Sequence, residues 1–183
     1  MQTEGSGVEK TKQLSTIAAA ATIVAAVLLV AAFFLPYAAG SQEFRDGLSS
    51  MSLNPYSETL GMSNQDLADI SLFEYVRIYS SSGELGMSEA FSMLYTALTA
   101  AAGVLGVLTL LFALVRKPIP VVVFSVLTVA LSLLLSWDFE DRGVIPSTSY
   151  DWGVARWVYL AAGIAAVALA IWQIVLRRQS KRA

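Results

Sequence analysis

The chain of 183 residues contains no cysteine and no histidine. Without cysteine it can form no disulfide, thiolate metal site or cysteine nucleophile, and without histidine it lacks the commonest general base and metal ligand. No Ser-His-Asp triad, Cys-His pair or histidine metal site can be assembled from the residues that remain. The sequence therefore predicts a protein that is not an enzyme and has no cofactor, catalytic residue or metal ligand.

Charge is also scarce, since only 14% of residues are charged whereas 56% are hydrophobic and the mean hydropathy is +0.62. Soluble domains carry about 25% charged residues. Residues 90–115 and 119–137 contain no Asp, Glu, Lys or Arg, and each run is long enough to cross a ~30 Å hydrocarbon core at about 1.5 Å per residue. We therefore predict an integral membrane protein whose surroundings are the lipid bilayer and which has no nucleic-acid partner.

A basic turn joins these two runs, with the sequence Arg116-Lys117-Pro118-Ile119-Pro120. Pro118 and Pro120 cannot continue a helix that arrives from the N-terminal side, but both suit the first turn of the helix that follows. The sequence thus predicts a tight helical hairpin that reverses at a membrane face.

Two further apolar runs complete the predicted fold, an all-α integral membrane protein with four transmembrane helices in an antiparallel bundle. The predicted spans are 15–37, 90–115, 119–137 and 154–176. The other predicted segments are a disordered cytoplasmic leader at 1–14, outer loops at 38–89 and 138–153, and a basic cytoplasmic tail at 177–183. The first run is longer than the apolar region of a cleaved signal peptide, about 7 to 15 residues, so we interpret it as a retained span.

The distribution of charge predicts the orientation, because Lys and Arg near the ends of spans favour the cytoplasm. Eight of the twelve basic residues lie in the leader, the basic turn and the tail, whereas twelve of the fourteen carboxylates lie in the outer loops. The eight are Lys10, Lys12, Arg116, Lys117, Arg177, Arg178, Lys181 and Arg182. We expect a multi-pass plasma-membrane protein with both termini in the cytoplasm.

The long first outer loop has a helical pattern over residues 71–80. Ser71 and Glu74 have the spacing of a capping box at a helix N-terminus. An apolar stripe follows on one face, formed by Leu72, Tyr75, Val76 and Tyr79. We predict a short amphipathic helix whose stripe either packs on the outer ends of the spans or binds a protein partner.

Small residues at helical spacing mark two candidate helix-packing faces, because helices in lipid associate by close approach. They lie on the second and fourth spans, at Thr99, Gly103, Gly106, Ala162, Ala166, Ala170 and Gln173. We interpret these faces as packing within the bundle, with a homo-oligomer as the alternative.

Hydroxyl groups follow one face of the third span, at Ser125, Thr128, Ser132 and Ser136. Such a stripe could line a polar path, but Ser and Thr often bond back to the carbonyl groups of their own helix. No charged residue lies within the span to bind an ion or move a proton.

The second outer loop is acidic, with carboxylates at Asp138, Glu140, Asp141 and Asp151. These could gather around Ca²⁺, although they lack the glycine-punctuated spacing of an EF-hand, and the default interpretation is a solvated acidic loop. Aromatic residues are also frequent near the outer boundary, so binding of an organic cation is a further alternative.

The topology of four spans with a long first outer loop resembles the claudin plan. Claudins carry a Trp and a pair of Cys in that loop, and this chain has no Cys, so it is not assigned to them. We expect a non-enzymatic accessory or structural partner of other membrane components that acts through its outer loop. The alternative is a transport or channel subunit that uses the hydroxyl-lined third span.

Overall fold

The computed structural model describes residues 3–52, 57–81, 86 and 88–180, and the chain is mostly helical (78%). Four helices are long and apolar enough to cross a membrane, as predicted, which gives the chain the character of a multi-pass membrane protein. In chain order the elements are α1 (Thr3–Ala32), β1 (Pro36–Gly40), α2 (Gln42–Ser50), α3 (Ser57–Leu60), α4 (Asn64–Ala68), β2 (Asp69–Ser71), α5 (Leu72–Ser80), α6 (Glu89–Leu114), α7 (Pro118–Asp141), β3 (Tyr150–Trp152) and α8 (Val154–Ser180).

Helix α1 differs from the prediction at both of its ends. It begins at Thr3, so the structure places residues 3–14 in the helix and not in a disordered leader; no proline interrupts this stretch, and several of its residues are good helix formers. It stops at Ala32, before residue 37, because Pro36 lacks an N–H and disfavours the helical conformation of the residue before it. Residues 1–2 of the leader and 181–183 of the tail lie outside the described residues.

Each long helix contacts two others, in the cyclic order α1, α6, α7, α8. On α6, Gly103 faces Phe33 and Gly106 faces Leu29, so α1 and α6 run in opposite directions. On α8, Gly163 lies near the same Leu29, whereas Gln173 donates a hydrogen bond toward the beginning of α1. The chain therefore reverses between successive neighbours around the ring.

The turn between α6 and α7 forms what we call the hairpin end of the bundle, residues 114–118. Arg116 adopts a left-handed conformation with φ of 54°. The N–H of Lys117 donates to the Phe112 carbonyl at 2.9 Å, which closes the turn. Pro118 is the first residue of α7, where its missing N–H leaves no hydrogen bond unmade.

A three-stranded antiparallel sheet at the opposite end is an element that the prediction did not include. Strand β1 lies between β2 and β3, and its Ala39 pairs with Asp69 on one side and Asp151 on the other. The sheet therefore joins both predicted outer loops to the chain that leaves α1. Gly153 permits this close approach, because a Cβ atom there would lie 2.1 Å from the Pro36 carbonyl oxygen.

We use the term cap for the described residues of 36–81 and 143–153, which contain the sheet and the short helices. The serine before each of helices α2, α4 and α5 is its N-cap, namely Ser41, Ser63 and Ser71. The hydroxyl groups of these serines accept hydrogen bonds from main-chain N–H groups. At α5, Glu74 completes the capping box, since its carboxylate accepts from the Ser71 N–H at 2.6 Å. A small core within the cap is formed by Leu48, Leu60, Met62 and Leu67.

Candidate functional site

The apolar stripe of α5 lies against the bundle. Leu72, Tyr75 and Tyr79 are 0%, 5% and 4% exposed, and Val76 is half-buried. The rings of Tyr75 and Tyr79 stack on each other, and the Tyr75 ring also contacts Phe139 on α7 with the ring centres 4.8 Å apart. Within the described residues, the two tyrosines are therefore enclosed by other residues of the chain, and the stripe packs on the bundle.

Arg142 joins α5, α6 and α7 at the point where the cap meets the bundle. Its guanidinium donates to Asp138 Oδ2 at 2.6 and 2.9 Å and to the Tyr79 hydroxyl at 3.2 Å. Its Cζ atom lies 4.3 Å from the centre of the Tyr95 ring, and the Tyr95 hydroxyl donates to the other oxygen of Asp138 at 2.8 Å. Asp138 thus accepts hydrogen bonds from both Arg142 and Tyr95, and Arg142 also donates to Tyr79. These contacts fix α5 to the ends of α6 and α7.

Two more arginines fasten the cap internally. Arg45 on α2 makes a two-pronged ion pair with Asp69 at 2.6 and 2.8 Å, and its Nε donates to the Gly40 carbonyl. Arg77 on α5 donates to the carbonyl oxygens of Leu60 and Gly61 at 2.8 and 2.9 Å. These bonds connect α2 to the sheet and α5 to the end of α3.

Arg156, near the start of α8, lies over an aromatic ring of the sheet. Its Cζ atom is 4.1 Å from the centre of the Trp152 ring, a distance at which the ring attracts the cation. All four arginines at the cap end are thus engaged by neighbouring groups of the chain, namely Arg45, Arg77, Arg142 and Arg156.

Apart from Asp69 and Asp138, the carboxylates at this end of the molecule have no arginine partner within the described residues. Six of them are exposed and form no ion pair within the described residues, namely Glu43, Asp46, Glu89, Glu140, Asp141 and Asp151. The end of the bundle that carries the cap therefore presents negative charge that its own arginines do not neutralise.

A recess of about 350 Å³ opens beside α2, between that helix and Thr148 and Ser149. Its wall combines apolar and polar groups, from Ser41, Glu43, Phe44, Gly47, Leu48, Met51, Thr148 and Ser149. Met51 is 51% exposed at its edge. The exposed Glu43 and Asp46 lie on the same helix, so the recess adjoins part of the unneutralised charge.

The four hydroxyl residues of α7 all face the interior of the bundle. Ser125 and Thr128 are fully buried, and Ser132 and Ser136 are 1% and 4% exposed. Thr128 donates to the Phe124 carbonyl at 2.8 Å, and Ser136 donates to the Ser132 carbonyl at the same distance. Half of the stripe therefore bonds back to its own helix.

The other two hydroxyl groups of the stripe have no such bond. Within the described chain, the side-chain oxygens of Ser125 and Ser132, and that of Tyr159 on α8, are buried without a hydrogen-bond partner. Tyr37 and Phe139, both fully buried, lie nearer the cap end. Toward the hairpin end a small apolar group follows, formed by Ala26, Ala113, Val121 and Ala170.

The candidate helix-packing residues lie mostly between helices. Gly106 is buried, and a Cβ atom there would lie 3.3 Å from the Leu29 carbonyl oxygen, whereas Gly103 is only half-buried beneath the Phe33 ring. Gln173 donates to the Thr22 hydroxyl at 2.6 Å and thereby links α8 to α1. The other members are all buried, namely Thr99, Ala162, Ala166 and Ala170.

Burial raises the pKa of several tyrosines of the cap. Burial raises the pKa of the Tyr75 hydroxyl, and the neighbouring Tyr79 adds to the effect. Burial also raises the pKa of Tyr79, and it raises the pKa of Tyr150 to about 12. Among the described residues no group of three or more carboxylates could hold a metal ion, and Asp138 is paired with Arg142.

Some of these ion pairs could be predicted from the sequence, and others could not. Asp138 and Arg142 are four residues apart, which is the spacing of an ion pair on one helix face, so their pairing could have been predicted. Arg45 and Asp69 are 24 residues apart and meet only because the sheet folds β2 against β1.

No family model matches the chain, and neither the curated proteins nor the solved structures contain a significant match.

Proposed function

We propose that this is a multi-pass protein of the plasma membrane with both termini in the cytoplasm, acting as a non-enzymatic accessory or structural partner of another membrane protein. Its cap lies outside the cytoplasm and carries the contact. In this orientation the hairpin end, with Arg116 and Lys117, and the end of α8, with Arg177 and Arg178, face the cytoplasm, as the preference of basic residues requires.

The observation that carries the proposal is the imbalance of charge on the cap side. The four arginines are used to hold the cap together and to the bundle, whereas carboxylates such as Glu43 and Asp46 remain exposed and unpaired within the described residues. A loop whose only task was to connect two spans would need neither internal ion pairs nor a sheet. The cap is instead a fixed surface with one sign of charge, which suits selective binding.

The chemistry of this surface favours a basic extracytoplasmic segment of another membrane protein. Negative charge attracts Lys and Arg, and the recess beside α2 provides apolar groups, including Met51, for the stems of such side chains. A second copy of the chain would bring like charges together through this face, so we assign the contact to a different protein.

Purification from the native membrane in mild detergent tests the proposal. We expect one protein to co-purify in fixed ratio, to carry a basic extracytoplasmic segment and to dissociate as salt is raised, because exposed charges are screened. Glu43→Lys combined with Asp46→Lys should abolish this association while the variant still inserts and keeps its thermal stability, since both side chains are exposed.

A matched variant, Glu140→Lys with Asp141→Lys, makes the same change of charge at the end of α7. It should keep most of the association if the contact is centred on α2. Equal loss in both variants would mean that only the overall charge matters. Unchanged association in both would overturn the proposal.

A second candidate function is transport through the bundle. It is favoured by the interior position of the α7 hydroxyl groups and by the unpaired oxygens of Ser125, Ser132 and Tyr159. It is disfavoured by the large buried side chains near the cap end, Tyr37 and Phe139, and by the buried apolar group toward the hairpin end. Solute or ion flux in reconstituted vesicles that falls in Ser132→Leu would establish transport, whereas flux equal to that of empty vesicles would exclude it for the solutes tried.

A further inference from the structure

A second recess lies at the hairpin end, far from the cap. It has a volume of about 430 Å³ and is formed where the beginning of α7 meets the last turns of α8. Its floor is apolar and its rim is basic, with Pro118, Ile119, Pro120 and Ile174 below Lys117, Arg177 and Arg178.

Two of the three cations at this rim are available to bind an anion. Arg177 donates to the Arg116 carbonyl at 2.7 Å and so contributes to fixing the turn. Lys117 and Arg178 are exposed and have no ion pair within the described residues. Positive charge therefore collects at the mouth of the recess, and no carboxylate of the described residues forms an ion pair with it.

An apolar groove of about 470 Å³ lies between the same two helices, one or two turns closer to the cap. Its lining contains no polar or charged residue. The α7 side consists of Val126, Val129, Ala130 and Leu133, and the α8 side of Ile164, Val167, Ala168 and Ile171. The small Ala130 and Ala168 leave the depression between the larger side chains.

The recess and the groove belong to one continuous face of the helix pair. On α7 the exposed Ile119, Val126 and Leu133 repeat every seven residues, which keeps them on one side of the helix. On α8 the exposed Ile164 and Ile171 are followed after seven more residues by Arg178. The face from Ile119 to Leu133 is about 21 Å long at 1.5 Å per residue, which exceeds half of a ~30 Å hydrocarbon core.

We propose that this face binds one anionic phospholipid, with the phosphate held by Lys117 and Arg178 and an acyl chain lying in the groove between α7 and α8. A basic mouth that leads directly into an apolar groove matches the order of headgroup and chain in such a lipid. A soluble anion would leave the groove unused, and an apolar helix of a partner would leave the two cations unused. The site depends on the membrane position of the spans but not on the proposed partner of the cap.

Native mass spectrometry of the purified full-length protein in detergent tests the headgroup part. Dioleoylphosphatidylglycerol should bind in a ratio of one and more tightly than dioleoylphosphatidylcholine. Lys117→Gln with Arg178→Gln should weaken phosphatidylglycerol binding about 30-fold, taking about 1 kcal/mol for each basic residue and 1.4 kcal/mol for each factor of ten. The matched control Lys181→Gln with Arg182→Gln removes the same charge from the tail and should keep the affinity.

The groove is tested by a large residue placed inside it. Ala168→Phe should prevent binding of the chain, whereas Ala165→Phe introduces the same residue at an exposed position of α8 that does not line the groove. We expect the first variant to lose phosphatidylglycerol and the second to retain it. Circular dichroism and size-exclusion profiles that match the wild type would exclude misfolding. Lys117→Arg, which keeps the positive charge, should retain phosphatidylglycerol binding.

Three results would overturn the assignment. Glycerol 3-phosphate or inorganic phosphate that stabilised the protein against heat as much as the lipid would indicate an anion site without a chain. Equal binding of the two lipids by the wild type would indicate an apolar groove without headgroup selection. Retention of lipid by Ala168→Phe, with loss in the Lys117→Gln and Arg178→Gln variant, would indicate headgroup adsorption alone.

Discussion

The phenol oxygen of Tyr37, in the central strand of the sheet, lies 2.8 Å from the hydroxyl oxygen of Ser136 on α7 and is hydrogen-bonded to it. Tyr37 is fully buried, and its phenol oxygen also lies 3.2 Å from the Ser132 carbonyl oxygen. This one side chain therefore anchors the sheet inside the bundle and occupies the cap end of the hydroxyl stripe. The cap and the transmembrane helices are joined through it into a single packed unit.

The first prediction concerns this anchor. Tyr37→Phe removes the hydroxyl and leaves Ser136 without its partner from the sheet, so we expect a loss of about 1 kcal/mol in the free energy of unfolding. Thermal unfolding in detergent should show it as a fall of about 2–4 °C in Tm. The change in Tyr37→Phe with Ser136→Ala should be smaller than the sum of the single changes, because both remove the same bond. Additive effects would mean that the bond contributes nothing.

The second prediction concerns Arg142. Arg142→Gln should destabilise the protein by about 2 kcal/mol, because it breaks hydrogen bonds to a charged carboxylate and removes the cation from the Tyr95 ring. Arg142→Lys keeps the charge but cannot reach Asp138 and Tyr79 together, so its stability should lie between those of Arg142→Gln and the wild type. Glu140→Gln, at an exposed and unpaired neighbour, should have no measurable effect. A lysine variant as stable as the wild type would contradict the role of the guanidinium geometry.

The spans could be predicted because lipid demands a simple pattern. A helix that crosses hydrocarbon needs about 20 apolar residues, and Pro118 and Pro120 fit the start of a helix but not its interior. The N-terminus of α5 could be predicted because the Ser71 and Glu74 capping box is a local interaction within four residues. These features need no knowledge of distant contacts.

The sheet could not be predicted, because its strands have no sequence pattern of their own. Residues 36–40 continue an alanine-rich apolar run, and β2 and β3 have three residues each, which is too short for an alternation to be recognised. The inward face of α7 was marked only by its hydroxyl groups, since lipid-facing and buried positions of a span are equally apolar. The packing of the α5 tyrosines on the bundle could not be predicted either, because it depends on contacts with Phe139 and Tyr95, which are distant in sequence.

The third prediction concerns high pH. The pKa of Tyr150 is raised by burial from 10.0 to about 12, so above pH 10 the unfolded chain ionises this tyrosine before the folded chain does. The unfolded state then binds fewer protons, so the contribution of Tyr150 to stability should be constant below pH 10 and fall as the pH rises toward 12. We expect Tm to fall less steeply with pH in Tyr150→Phe than in the wild type across this range. An unchanged slope would show that Tyr150 is solvated in both states.

The fourth prediction concerns orientation, and the absence of native cysteine makes it simple to test. Ser49→Cys on α2 and Ser147→Cys before β3 are exposed positions of the cap and should react with an impermeant maleimide in intact cells. Ser180→Cys, at the end of α8, should react only after permeabilisation. Labelling of residue 180 in sealed cells would reverse the assigned orientation.

The last prediction separates close backbone approach from apolar contact as the force that holds α6 against α1. Gly106→Leu should destabilise the protein most, because the new side chain would meet the main chain of Leu29, and α1 could accommodate it only by moving away. Gly103→Leu should cost less, since it meets the Phe33 ring, which can rotate. Leu108→Ala should cost least, because loss of apolar area matters little where lipid replaces it. Thermal stability in one detergent would rank the three, and equal stability of Gly106→Leu and Leu108→Ala would mean that α6 and α1 are not held by close approach at Gly106.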